Sequence, residues 1–215
     1  SWDEGGIDAS AGDLNNDGMV DLVISAPQRD SPNSLAEAGA VYVFFGPIAS
    51  GNIGALDSDR AYGGQEEFGR QGTYLAVVPE GTGAGFGLII VGSTDALGGA
   101  CEVFVLGEDA PSGVLSDAAI SRVSGRGVEA VGPVTTLDDI SEDGIGNFAI
   151  GAPGAESGAG EVVIGKVDME GSYTLSDFPV VFRGEVAQEG LGWIMAGGGD
   201  LDGDKVSDIL IGSPH

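Results

Sequence analysis

The stretch Gly12–Pro27, "GDLNNDGMVDLVISAP", sets Asp13, Asn15 and Asp17 on alternate residues, follows them with Gly18, adds Asp21 and then enters an apolar run. Calcium is a hard cation that takes roughly six to eight oxygens at about 2.3–2.6 Å, and a tightly turning loop points alternate side chains inward at it. The apolar run has the short length and β-branched character of a strand. Calcium-binding EF-hand loops carry an acid at position 12 and flanking helices. Here position 12 is Ile24, inside the strand-like run, so the loop sits on strands.

The pattern recurs. "DLVISAP" (21–27), "LIIVGST" (88–94), "NFAIGAP" (147–153) and "DILIGSP" (208–214) are four copies of one apolar run with a small turn. Twelve residues before Ser25, Gly92, Gly151 and Gly212 stand Asp13, Glu80, Asp139 and Asp200, all acidic, which makes a repeat of about sixty residues. Further apolar runs follow each turn, among them "GAVYVFFG" (39–46), "CEVFVLG" (101–107) and "GEVVIG" (160–165). Each unit therefore holds four short strands separated by Gly, Pro and Asp, and no amphipathic helix interrupts them. Four strands per repeat predicts an all-β fold of β-propeller blades, each of four antiparallel strands. The blades are expected at 5–67, 68–126, 127–185 and 186–215, the last incomplete, giving about three and a half blades in a partial or open propeller.

The chain of 215 residues is 42% hydrophobic, with 40 glycines and 9 prolines placed periodically, and has no run long enough for a membrane helix. Its 34 acidic against 8 basic residues give a formal charge of −26. That surface repels phosphate backbones and anionic membranes and attracts cations, so no nucleic-acid partner and no membrane insertion of this segment are expected. One cysteine, Cys101, rules out an internal disulfide framework and reads as a small buried hydrophobe. The opening "SWDEGG" shows no secretory leader; either one has been removed or the sequence starts inside a longer protein.

The loops differ in ligand content. Loop one offers side-chain oxygens from Asp13, Asn15 and Asp17, the Met19 carbonyl and Asp21, with Gly18 free to take the sharp bend at position 6. Loop four offers Asp200, Asp202, Asp204, the Val206 carbonyl and Asp208, with Lys205 at position 6, where a left-handed backbone costs about 1–2 kcal/mol. Loop three offers Asp139, Ser141, Asp143, the Ile145 carbonyl and Asn147. With fewer charges it makes a weaker third site, and a plain turn explains it equally well. Loop two, with Thr82, Ala84 and Leu88 at ligand positions, should bind no metal.

These residues resemble the FG-GAP repeat family, known from the amino-terminal propeller of integrin α subunits. Phe68–Gly69 and Leu191–Gly192 stand for its first signature pair; Gly151–Ala152–Pro153 reproduces the second, and Ser25–Ala26–Pro27 and Gly212–Ser213–Pro214 are close variants. The resemblance implies Ca2+ in loops joining the first two strands of each blade, on one face of the propeller. It also implies an extracellular, cell-surface or secreted location, and a protein or glycan ligand held elsewhere. Family members commonly close seven blades, so the remaining blades are expected from a longer chain or through self-association.

The function expected is a calcium-binding, non-catalytic adhesion or interaction module. The alternatives are a carbohydrate-binding propeller and an accessory domain of a secreted enzyme. Trp2 and Trp193 are not at equivalent positions, which weakens a repeated aromatic sugar platform, and Trp193 is expected in the core. His215 is the only histidine, so His-based triads and zinc-hydrolase sites lack their parts. Arg29, Arg60, Arg70, Arg122, Arg126 and Arg183, scattered singly, are expected to pair with acids at the surface.

Overall fold

The computed structural model describes residues 8–30, 35–48, 50–51, 53–78, 87–93, 102–107, 109–125 and 131–214. Residues 80–86 of loop two, together with Trp2, Cys101, Arg126 and His215, lie outside the described residues.

The first blade is β1 (Ala9–Gly12), β2 (Asp21–Ala26), β3 (Ala40–Phe44) and β4 (Arg60–Gly63), an antiparallel meander in sequence order. The second is β5 (Tyr74–Val78), β6 (Leu88–Gly92) and β7 (Glu102–Gly107), then the short β8 (Gly113–Val114) and the outer strand β9 (Ser121–Ser124). The third repeats this plan with β10 (Val134–Leu137), β11 (Asn147–Ala152), β12 (Glu161–Lys166), β13 (Gly171–Thr174) and β14 (Val180–Arg183). The fourth is the pair β15 (Ile194–Gly199) and β16 (Asp208–Gly212). Among the described residues the architecture is thus all-β, a set of propeller blades that do not close a ring.

Blades are buried on both faces where they are flanked, so alternate residues of one strand enter different clusters. Val41 and Val43 of β3 join Leu75, Val77, Ile89 and Phe104 between the first and second blades, while Tyr42 and Phe44 pack on the opposite side. Leu88, Ile90 and Val103 meet Phe148, Ile150 and Leu175 between the second and third. Ala149, Val162 and Ile164 meet Met195, Ile209 and Ile211 between the third and fourth.

Two straps tie consecutive blades. β8, from the second blade, pairs in parallel with β4, and β13, from the third, pairs in parallel with β9. Each covers an outer strand that would otherwise present unpaired backbone groups. Immediately after each strap a short helical turn begins with a buried leucine, Leu115 or Leu175, that packs into the cluster shared with the preceding blade.

The signature glycines work at the blade contacts. A Cβ on Gly151 would lie 2.2 Å from the Gly192 carbonyl oxygen, so the third and fourth blades approach through bare backbone. The bridges Gly160↔Leu191 and Gly39↔Gln71 are equivalent, which makes Gln71–Gly72 the counterpart of Leu191–Gly192 and sets Phe68–Gly69 three residues upstream of it. Trp193 is not in the core: it is 61% exposed, because the two strands of the fourth blade offer too little surface to cover it.

Candidate functional site

Loops one, three and four each join the first and second strands of a blade, β1–β2, β10–β11 and β15–β16. They share one hydrogen-bond scheme. In loop one Asp13 accepts from the Asp17 and Gly18 N–H groups at 3.2 and 2.9 Å, and Asp17 accepts from the Met19 N–H at 2.8 Å. In loop three Asp139 accepts from Asp143 and Gly144, and Asp143 accepts from Ile145 at 3.1 Å. In loop four Asp200 accepts from Asp204 and Lys205 at 3.1 and 2.9 Å, and Asp204 accepts from Val206 at 2.8 Å. These contacts wind each loop tightly, as Asx side chains bonded to the backbone that follows them do.

Tight winding requires positive φ at two steps. Position 4 is Asn16, Glu142 or Gly203, at φ +53°, +54° and +86°; position 6 is Gly18, Gly144 or Lys205, at +82°, +87° and +74°. Lys205 therefore adopts the left-handed conformation that its two counterparts leave to glycine, and loop four keeps the scheme at an energetic cost.

Position 9 anchors each loop to its blade. Asp21 is fully buried; its two oxygens accept from the Leu14 N–H and the Gly46 N–H, both at 2.8 Å. Asp208 accepts from Leu201 at 2.6 Å. Asn147 accepts from Ile140 at 3.0 Å but donates its amide to the Gly165 carbonyl at 3.2 Å.

The donor sets can be tested against a hard cation. In loop four, oxygens of Asp200, Asp202 and Asp208 lie within 4.8 Å of one another. Ligands at about 2.3–2.6 Å around one ion stand no more than roughly 5 Å apart, so the spacing fits calcium. Loop one repeats the winding with hard oxygens on Asp13, Asn15, Asp17 and Asp21, but among the described residues only loop four brings three carboxylates that close. Loop three differs in charge: Lys166, at the end of β12, forms an ion pair with Asp143. That hydrogen bond holds the Asp143 carboxyl below its ordinary value and lifts the Lys166 ammonium above its own. At Asp139 desolvation pushes the carboxyl up, and the Gly144 and Asp143 N–H groups with the Ser141 hydroxyl outweigh it, leaving it low.

Neighbouring loops touch. The Ser207 hydroxyl of loop four donates to Asp138 at 2.7 Å, beside loop three, so these two loops lie on one face of the blades. Three of the arginines pair with acids as expected, though not always at the surface. Arg70 holds Glu37 at 2.6 Å, Arg122 pairs with the buried Glu102, and Arg183 stands 3.6 Å from the fully buried Glu161. Arg29 and Arg60 lie over the rings of Tyr42 and Phe45, 5.8 and 5.7 Å from the ring centres.

The FG-GAP repeat family matches residues 5–44, which contain β1, loop one, β2 and β3. The chain is 33% identical over 159 residues to integrin alpha-PS3 of Drosophila melanogaster, covering 71% of this chain and 14% of the relative. Integrin alpha-PS5 of the same organism is 31% identical over 170 residues, covering 71% and 15%. Integrin alpha-5 of Xenopus laevis is 26% identical over 223 residues, covering 97% and 14%. The chain thus spans about one seventh of the length of these relatives. Blades of four strands, loops of one winding between first and second strands, and this pattern of similarity together place the protein as an FG-GAP, integrin-α-like repeat domain.

Proposed function

We propose that this domain is a calcium-stabilised, non-catalytic adhesion module of an extracellular or cell-surface protein. Calcium is held in loop one by Asp13, Asn15, Asp17, the Met19 carbonyl and Asp21, and in loop four by Asp200, Asp202, Asp204, the Val206 carbonyl and Asp208. The observation that carries this is the convergence of Asp200, Asp202 and Asp208 in an exposed loop whose winding loop one repeats. Like charges held that close repel one another unless a cation lies between them. The acids recur at one position per blade, as structural ligands do, and the similarity to integrin α chains supports an adhesive role.

Calcium acts here by binding the folded state alone, which at a hundred times Kd is worth about 2.7 kcal/mol per site. The protein or glycan that the module recognises binds on other loops. The side of the fourth blade away from the third exposes Leu201 and Leu210, and it takes a further blade of the same repeat, from a longer chain or a second copy. Among the described residues no helix is long and apolar enough to cross a membrane.

Thermal unfolding of chelator-stripped protein tests the reading. Saturating calcium should raise Tm, and Asp13→Ala and Asp200→Ala should each remove part of the rise. A Tm that calcium leaves unchanged contradicts it.

A further inference from the structure

We propose that loop three is closed by an internal cation, the Lys166 ammonium, and takes no calcium. The proposal rests on the calcium reading of loops one and four, since it assigns the third loop a different way of meeting the same electrostatic need.

Lys166 stands directly across the β11–β12 ladder from Asn147, at the mouth of loop three, and pairs with Asp143 at position 5. The second blade has Gly107 at this register, opposite Leu88. In the first blade the ladder's last pair is Leu22↔Phe44, so the matching residue is Phe45. Among the described residues no basic side chain pairs with Asp17 or Asp204, the position-5 acids of the other two loops.

Position 9 also differs in polarity between the loops. In loop one the end of the third strand presents a donor, the Gly46 N–H, and a carboxylate, Asp21, meets it. In loop three the counterpart donor, the Val167 N–H, is taken by the Gly146 carbonyl at 3.0 Å, and the position-9 side chain, Asn147, donates its amide to the Gly165 carbonyl instead. A carboxylate at position 9 of loop three would find that N–H already bonded and the Gly165 carbonyl oxygen beside it, an environment a neutral amide meets and a carboxylate does not.

Charge follows from both. At the ligand positions loop one carries three carboxylates and loop four carries four, whereas loop three carries Asp139 and Asp143, with one of them already met by Lys166. A calcium ion entering loop three would displace the ammonium and gain only two carboxylates, with the displaced positive charge left beside it.

Hydrogen exchange read by mass spectrometry, on native protein and on Lys166→Met, with chelator and with saturating calcium, tests this. In the native protein, exchange over 139–147 should be the same in both conditions, while calcium slows exchange over 13–21 and 200–208. In chelator, Lys166→Met should exchange several-fold faster than native at Asp143–Ile145, and Lys166→Arg, which keeps the charge, should match the native rate. Calcium-dependent slowing of 139–147 in the native protein overturns the proposal, and so does unchanged exchange in Lys166→Met. If calcium slows none of the three loops, the calcium reading of loops one and four falls, and the native-to-Lys166→Met comparison in chelator alone decides the role of the lysine.

Discussion

Leu14 and Leu201 occupy the same step of loops one and four, the residue after the first acid, and donate the same backbone N–H to the position-9 aspartate. Leu14 is 0% exposed and Leu201 is 69% exposed. One strand further on, Val23 is 0% exposed and its counterpart Leu210 is 60% exposed. Local structure is the same in the two places; what differs is the next blade, present beside the first and absent beside the fourth. Gly87, leading into β6, donates its N–H to the Leu14 carbonyl at 3.2 Å, and Leu14 lies in the cluster with Leu75, Val77 and Ile89 of the second blade. Burial in this fold is therefore a property of pairs of blades, and a single repeat does not bury its own second face.

The largest expected effect tests that difference directly. Leu14→Ala should cost about 2–5 kcal/mol in urea unfolding, as deletion of a fully buried leucine side chain does. Leu201→Ala should stay within about 0.5 kcal/mol, as an exposed substitution does. Equal costs would show that the fourth blade is packed in solution by something that covers Leu201, and would break the comparison.

A smaller effect arises at position 6 of the loops, away from any blade contact. Position 6 has φ +87° at Gly144 and +74° at Lys205, and a Cβ on Gly144 meets nothing within 4 Å. Gly144→Ala should thus cost roughly 1–2 kcal/mol through backbone strain alone. Lys205→Gly should gain less than that, on the order of 0.5–1 kcal/mol, because glycine gives back part of the gain as chain entropy. The same unfolding curves read both.

The smallest effect concerns the turn after the β13 strap. The Thr174 N–H, at 2.7 Å, and then its hydroxyl, at 2.9 Å, hold the Asp177 carboxyl below its ordinary value. A depressed carboxyl adds stability above the unfolded value, about 3.9, and loses it as pH falls through the lower folded value. Asp177→Asn should lower stability slightly near neutral pH and flatten the acid limb of the stability curve. Asp57 accepts the Gly54 N–H alone, at 2.7 Å on the first blade, with no hydroxyl beside it, so Asp57→Asn should cost less than Asp177→Asn in unfolding at neutral pH.

The blades are legible because two signals coincide in the sequence: apolar runs such as "DILIG" and an acidic loop at a constant offset before each small turn. The straps are not. β8 is Gly113–Val114 and β13 is Gly171–Thr174, too short or too polar to show a period, and their partners lie in the preceding blade. Leu191–Gly192 is readable as a signature pair, but its counterpart Gln71–Gly72 is identified by the Gly39 bridge, a contact between blades. Trp193 reads as core because it adjoins a strand, yet that strand pair has no third neighbour to cover it. In the loops the ligand letters are plain, while the ion pair of Lys166 with Asp143, 23 residues apart, carries no local mark.

Calcium calorimetry on chelator-stripped protein, fitted for the number of sites, is the most direct test of the central claim. Two saturable sites are expected in the native chain, falling to one in Asp13→Ala and to one in Asp200→Ala. Absence of saturable binding in the native chain would contradict it and leave the acidic loops as turns held by their own backbone hydrogen bonds.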